Sequence, residues 1–551
     1  MWLTTRRYFG TVLDSRFYMV EALHALHPSR FAEDLYFKFG SQGNFSFFPK
    51  FYLPLLPVFG IGMTSLILTV AGQLLWLFAL FRLARSLVGE RLMWLSVAMV
   101  IGMSNIYIGG FGYGEAYATA RLFTEAVVML ALAFLPTRPF WSIALLVLSA
   151  GLHPLMALPG IAIAFVYLAL GQPIWWAAMG AGAVLAAALG LAGIAPFSNL
   201  FRIVDPQWFA VINVRCSYCL LGNWTTDYFK QIFGATAWAF AALVTAGPAH
   251  RRFLIATFLA SAGGIVCAFL GGDIAHNAFA LEIQTWRSVW PLQIVSRIYI
   301  PLVFLSLLAR TSLDRFRWAT LLTMVPVLAL SAAELTQYPN SLEFTPGSFV
   351  LVAAALAVMA AQLLLVEQKH RHIAMLSALA GFALIPVALS RWDARTPWVK
   401  YLESPEPPPK NLAALLPGTA SVYWESGPEM AWFKLKRPSY FSCDQGTGIV
   451  FSRETAMAYK HRADSFWPLR TDDFAQLNPC TSLDMRPTPQ RNRKGLHDLC
   501  FREPELGYVV LRTPLDGVTA KAWQSPVPFQ NAQGTSRVTD RFYVYSCVSV
   551  R

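Results

Sequence analysis

A chain of 551 residues that is 56% hydrophobic, 14% aromatic and only 14% charged, with a mean hydropathy of +0.46, does not have the composition of a soluble globule. It reads as an α-helical polytopic membrane protein. The net charge is +13, yet no basic run is interleaved with aromatics, so nucleic acid is excluded as a partner and the basic residues are expected to flank membrane spans and set their orientation.

The amino-terminal segment and first loop, residues 1–61, concentrate acids and aromatics ahead of the hydrophobic runs. Between Asp14 and Pro57 the acids Asp14, Glu21, Glu33 and Asp34 stand among Tyr18, Phe31, Tyr36, Phe45, Phe47 and Phe48. Rings of this kind gather where lipid meets water, which suggests a loop at a membrane surface with an interfacial helix from Arg16 to Leu26. No span precedes this loop, and a short helix around Phe9 to Leu13 is one way to supply the missing element.

Runs long enough to cross about 30 Å of hydrocarbon follow in the region 62–391. The first two are Gly62 to Leu80 and Leu92 to Ile108, separated by a turn carrying Arg82, Arg85 and Arg91. By the positive-inside rule that turn is cytoplasmic, so the first loop faces outward. The outer loop GGFGYGEAYATAR brings Glu115 and Arg121 to the same side, before a span from Leu122 to Leu135 and the inner turn PTRPF. Trp141 to Leu170 is too long for one ordinary span and is broken by Gly151, His153, Pro154 and Pro159. Two helices meeting at His153 keep all later basic loops inside. Further spans are expected at Ile174 to Ile194, Tyr228 to Ala246, Phe253 to Leu270, Trp290 to Leu308, Trp318 to Leu335, Ser348 to Val366 and Ile373 to Leu389, giving about 11–13 in all.

Two outer loops are long and polar, and such loops are often functional. One holds Cys216 and Cys219; the other holds Asp273, His276, Asn277, Glu282, Gln284 and Arg287, with Arg297 just inside the next span. An arginine there is costly and is expected to be paired or ligand-facing, or to snorkel. His153 reads as a satisfied buried polar group. Residues 392–410 look like a Pro-rich linker, and residues 411–551 like a small extracytoplasmic α/β domain. In that domain ASVYWE, AWFKLK, GIVF, GYVVLR and RFYVYSCV read as strands and SRETAMAYKHRA as a helix capped by its serine. Cys443, Cys480, Cys500 and Cys547 allow two disulfides in an oxidising compartment, and Cys216 with Cys219 a third. Cys267 reads as a core residue of a span.

This layout resembles the GT-C superfamily of integral membrane glycosyltransferases, in which the first outer loop carries an acidic motif. LDSRFYMVEAL, with Asp14 four residues before Tyr18, is similar to the Asp-x-x-x-Tyr form of that motif, and Glu33-Asp34 to its paired-acid form. The resemblance implies transfer of a sugar from a polyprenyl-phosphate donor to a glycan, lipid or protein acceptor, on the periplasmic side of a bacterial inner membrane. Asp34, Asp14 or Glu33 would be the catalytic acid, with Asp34 a ligand for a divalent metal (Mg or Mn) as one option. Arg287, Arg121 and Arg297 would hold phosphate, with His276, Glu115 and Glu282 in support. A flippase for a lipid-linked glycan and an envelope-assembly scaffold are the alternatives.

Overall fold

The computed structural model describes residues 2–103, 112–245, 247–308, 385–386, 388–425, 427–470, 474, 479–482, 491–529 and 539–551. It is mostly helical, with a small carboxy-terminal sheet. The expected spans at Trp318 to Leu335 and Ser348 to Val366, and Ile373 to Leu389 as far as residue 384, lie outside the described residues. Among those described, Leu56–Gly102, Ile174–Leu191, His250–Ile274 and Ala278–Ser306 are long and apolar enough to cross a membrane. The apolar helices Pro139–Leu152 and Pro154–Ala169 are shorter.

Leu56–Gly102 is helical pieces rather than one rod, because Gly60 and Gly89 adopt φ of 68° and 77°. Glycine alone takes that region without a Cβ penalty, and Gly89 falls within the basic turn where two spans were expected to separate. Pro139–Leu152 and Pro154–Ala169 form an antiparallel hairpin. His153 at its tip is extended (φ −159°, ψ 98°), and a Cβ built on Gly160 would lie 3.1 Å from the Leu146 side chain.

The basic turns collect at one end of the helices. Arg82 lies over Phe134, 5.7 Å from its ring, next to the turn that holds Arg138. Arg252 lies 4.1 Å over Tyr167 and donates to its carbonyl at 2.7 Å. At the other end, Phe47 N donates to Gly151 O at 3.1 Å, so the first loop rests on the hairpin tip. Between the ends the helices share a core that includes Trp76, Leu122, Met129, Trp238, Trp290 and Ile298.

The amino-terminal residues pack into this body. Trp2–Thr5 is a single helical turn, and Trp2 stacks on Trp76 at 5.1 Å. Phe9 to Leu13 are not helical; Tyr8 instead pairs with Asp393 as an isolated bridge.

Most of the aromatic rings of the first loop are packed inside the protein. The loop's helix, Ser15–Leu26, buries Phe17, Tyr18, Met19 and Val20, and these join Phe31, Tyr36, Phe48, Trp432 and Phe433 in one core. The buried rings face each other and the carboxy-terminal domain, whereas Phe39, Phe45 and Phe51 stay exposed.

That domain is built on a four-stranded sheet, β1 (Ser421–Trp424), β2 (Leu506–Leu511), β3 (Lys521–Phe529) and β4 (Thr539–Ser546), in the order β1-β2-β4-β3. β1 and β2 run parallel, and the other two pairs antiparallel. β3 was not foreseen because it contains Pro526 and Pro528, which suit only an edge strand such as this one. AWFKLK is not a strand: Met430–Lys434 is a helical turn, with Lys434 Nζ donating to the carbonyls of Ser404 and Glu406 at 2.9 and 3.0 Å. GIVF follows the short helix Cys443–Gly448 as a turn. Helix Arg453–Phe466 begins at Ser452, whose hydroxyl accepts from Thr455 N at 3.1 Å. Residues 392–410 are more than a linker, since helix Pro397–Glu403 buries Trp398 against Phe529 and Phe542. Cys443 is bonded to Cys480 and Cys500 to Cys547. Cys216 and Cys219 are free and buried, and Cys267 is exposed on its helix rather than in the core.

Asp34 joins the first loop to this domain. Fully buried, it accepts from Tyr36 N at 2.9 Å, Trp432 Nε1 at 2.7 Å, Ser439 N at 2.8 Å and Gln445 Nε2 at 2.6 Å. Asp34→Ala would leave at least two buried donors without an acceptor, each costing about 1–3 kcal/mol. We expect a clear fall in melting temperature and faster proteolysis of the carboxy-terminal domain in detergent; an unchanged melting curve would contradict the role.

Candidate functional site

The charged groups that do converge lie where the first loop, residues 112–119, the hairpin tip and the carboxy-terminal domain meet. Asp14 stands at the amino-terminal cap of Ser15–Leu26 but makes no capping bond. Its carboxylate turns instead to Arg121 Nη1 at 2.5 Å. Arg121 occupies the first turn of helix Ala120–Phe134, which is capped by Thr119. Its Nε and Nη2 donate to Glu115 Oε1 at 2.9 and 2.6 Å, and the Thr119 hydroxyl donates to the other oxygen of Glu115. One guanidinium therefore serves two carboxylates. Glu115 and Arg121 side chains are 3% and 7% exposed while Asp14 is 39% exposed, so Asp14 is the open face of the triad.

Further cations surround it. Arg16, two residues on, is fixed by Glu429 and by Asp444 at 2.9 Å, both from the carboxy-terminal domain. Arg287 projects from the turn Thr285–Ser288; Gln284, held at φ 46°, accepts from its Nε and Nη2 at 2.9 and 2.7 Å, and the guanidinium lies 5.0 Å over Trp286. It is near enough for its charge to act on Asp14, Tyr18 and His153. His153 was expected to be satisfied, yet among the described residues its buried Nδ1 has no hydrogen-bond partner.

These neighbours push the two acids apart. Burial works against ionising Asp14, but Arg121 first, then Arg16 and Arg287, outweigh it and hold the carboxyl below its ordinary 3.8. For Glu115 burial wins over Arg121 and Thr119, and the nearby Asp14 adds to it, so its value is raised. Acid–base sites share this pattern of paired groups driven in opposite directions, as do structural ion-pair networks.

The other expected residues lie elsewhere. Asp34 is the fully bonded anchor described above. Burial pushes its carboxyl up, its four donors offset that only in part, and N–H groups on every side do not suit a cation. The geometry of Asp34 is that of a buried anchor with four hydrogen bonds. Among the described residues no three of His, Cys, Asp and Glu gather as a metal site. Glu33 is exposed, 3.8 Å from Lys38. His276 stacks on Phe209 at 3.8 Å, and Glu282 accepts from Asn199 Nδ2 at 2.6 Å. Arg297 lies 5.4 Å over Tyr113 with Nη1 3.5 Å from Met103 O. Arg16, Glu429 and Asp444 were missed, because their pairing joins residues over 400 apart in sequence.

The sign of the Asp14 shift fixes a pH dependence. A carboxyl lowered by folding stabilises the folded state above its unfolded value and loses that contribution as pH falls through the folded value. The melting-temperature difference between wild type and Asp14→Asn should stay constant from about pH 5 to 8 and shrink only below about pH 4. Shrinkage between pH 5 and 7 would mean that Arg121 does not control Asp14.

Comparison with protein families, curated proteins and solved structures finds no match to this chain.

Proposed function

We propose that this chain is a membrane glycosyltransferase of the GT-C type, with about 11–13 spans in a bacterial plasma membrane, that moves a sugar from a polyprenyl-phosphate donor to an envelope glycan, lipid or protein. The observation that carries the reading is the half-open Asp14 carboxylate among Arg121, Arg16 and Arg287. It lies at the end of the helices opposite the basic turns of Arg82, Arg138 and Arg252. Basic turns favour the cytoplasmic side, which supports an outward-facing cluster and carboxy-terminal domain.

The chemistry needs a group for the acceptor hydroxyl and cations for the departing phosphate. The hydroxyl oxygen attacks the anomeric carbon, the bond from that carbon to phosphate oxygen breaks, and polyprenyl phosphate leaves with the electron pair. Asp14 takes the hydroxyl proton. Since Arg121 holds Asp14 ionised and weakly basic, the transfer comes late, as the forming bond makes the hydroxyl acidic. Arg287, whose planar fork matches phosphate oxygens, faces the leaving group, and Glu115 positions Arg121.

In proteoliposomes supplied with polyprenyl-phosphate sugar, Asp14→Asn should lower the transfer rate at least about a hundredfold. Arg287→Lys, which keeps charge but not the fork, should be nearly as damaging. Normal transfer by both folded variants would refute the site, and lipid movement across the bilayer without transfer would favour a flippase.

A further inference from the structure

Helix Pro206–Arg215 runs into the turn Ser217–Cys219, which sets Cys216 and Cys219 three residues apart. Side chains at that spacing eclipse in a 3₁₀ turn, and the two thiols are close enough for each to act on the ionisation of the other. Both are buried, at 2% and 3% exposure. They lie in the seam between the helical body and the carboxy-terminal domain. Cys216 Sγ faces Gly446 O at 4.0 Å, Arg215 Nε donates to Cys443 O at 2.7 Å, and Trp208 Nε1 donates to Ile449 O at 2.7 Å. The contact is close: a Cβ on Gly446 would lie 3.0 Å from both Arg215 Cγ and the Tyr459 ring. On the other flank Tyr218 meets Trp286 edge-on at 6.2 Å, and Cys219 lies within electrostatic reach of Arg287.

We propose that Cys216 and Cys219 are a redox-active dithiol, reduced while the carboxy-terminal domain is seated and oxidised to an intrachain disulfide when the seam opens, after which the turn Cys443–Gly448 does not reseat. The oxidant is a disulfide, small or protein-borne. The Cys216 thiolate attacks one of its sulfurs and releases the first thiolate; the Cys219 thiolate then attacks Cys216 sulfur and releases the second. Two protons leave the pair and the oxidant becomes two thiols. Cys216 suits the attacking role because its contact with Cys219, against the opposing effect of burial, lowers its thiol, whereas burial raises Cys219. Closing the pair withdraws Cys216 Sγ from Gly446 and tightens the turn that carries Tyr218, so the change reaches both the docked domain and the Arg287 side of the cluster.

The idea draws on the function proposed above only for a disulfide-bearing compartment, and its test reads no transfer. Full-length protein in nanodiscs is incubated with glutathione disulfide, alkylated and mapped by mass spectrometry. Loss of both thiols as a Cys216–Cys219 linked peptide, with faster amide exchange across Cys443–Gly448, is expected. Cys216→Ser should abolish that exchange change under the same oxidant, and Cys219→Ser should trap glutathione on Cys216. Two thiols still alkylatable after prolonged oxidation, or a bridge that leaves exchange across Cys443–Gly448 unchanged, would overturn the proposal.

Discussion

A buried carboxylate with four N–H donors, and no cation beside it among the described residues, joins the first loop to the carboxy-terminal domain. Asp34 lies in the first loop, yet Trp432, Ser439 and Gln445, which supply three of the donors, lie some 400 residues later. An isolated buried carboxylate is costly, and only a full set of hydrogen bonds makes it tolerable. The geometry therefore works only when the first loop and the domain are docked. Docking closes the aromatic core around Phe17, Tyr36 and Trp432 and brings Glu429 and Asp444 to Arg16. Arg16 then stands beside Asp14. The candidate site is thus assembled by a bond network in which it takes no part.

Within the cluster a single guanidinium divides its donors between a sealed acid and an open one. Arg121 and Glu115 are buried and mutually fixed, so their geometry is rigid; Asp14 faces the junction and can meet a ligand. Rigid support behind one exposed group is the arrangement expected of a preorganised site.

Local signals made much of the helical body legible. The glycine at 89, the hairpin break at His153 with Pro154 behind it, and the capping Ser452 act through neighbouring residues, and each marks an element end. Sequence failed where partners are distant. AWFKLK has the composition of a strand, but Trp432 reaching Asp34 and Lys434 reaching two carbonyls favour a helical turn. That Phe17, Tyr36 and Phe48 pack in a core with Trp432 could not be read from their types, because amphipathic aromatics serve equally well in a core and at a membrane surface. Asp14 and Asp34 looked alike as candidates; only their partners, Arg121 in one case and four N–H groups in the other, separate an open charge from a sealed one.

The central claim is that a phosphate-bearing lipid occupies the junction of Asp14, Arg121 and Arg287. A cryo-electron microscopy map of the protein in nanodiscs with bound polyprenyl phosphate tests this most directly. The account predicts phosphate density within hydrogen-bond reach of Arg287, with the lipid tail leaving between the helices on the side of the hairpin tip. Phosphate density at the opposite end, beside Arg82 and Arg252, would contradict it.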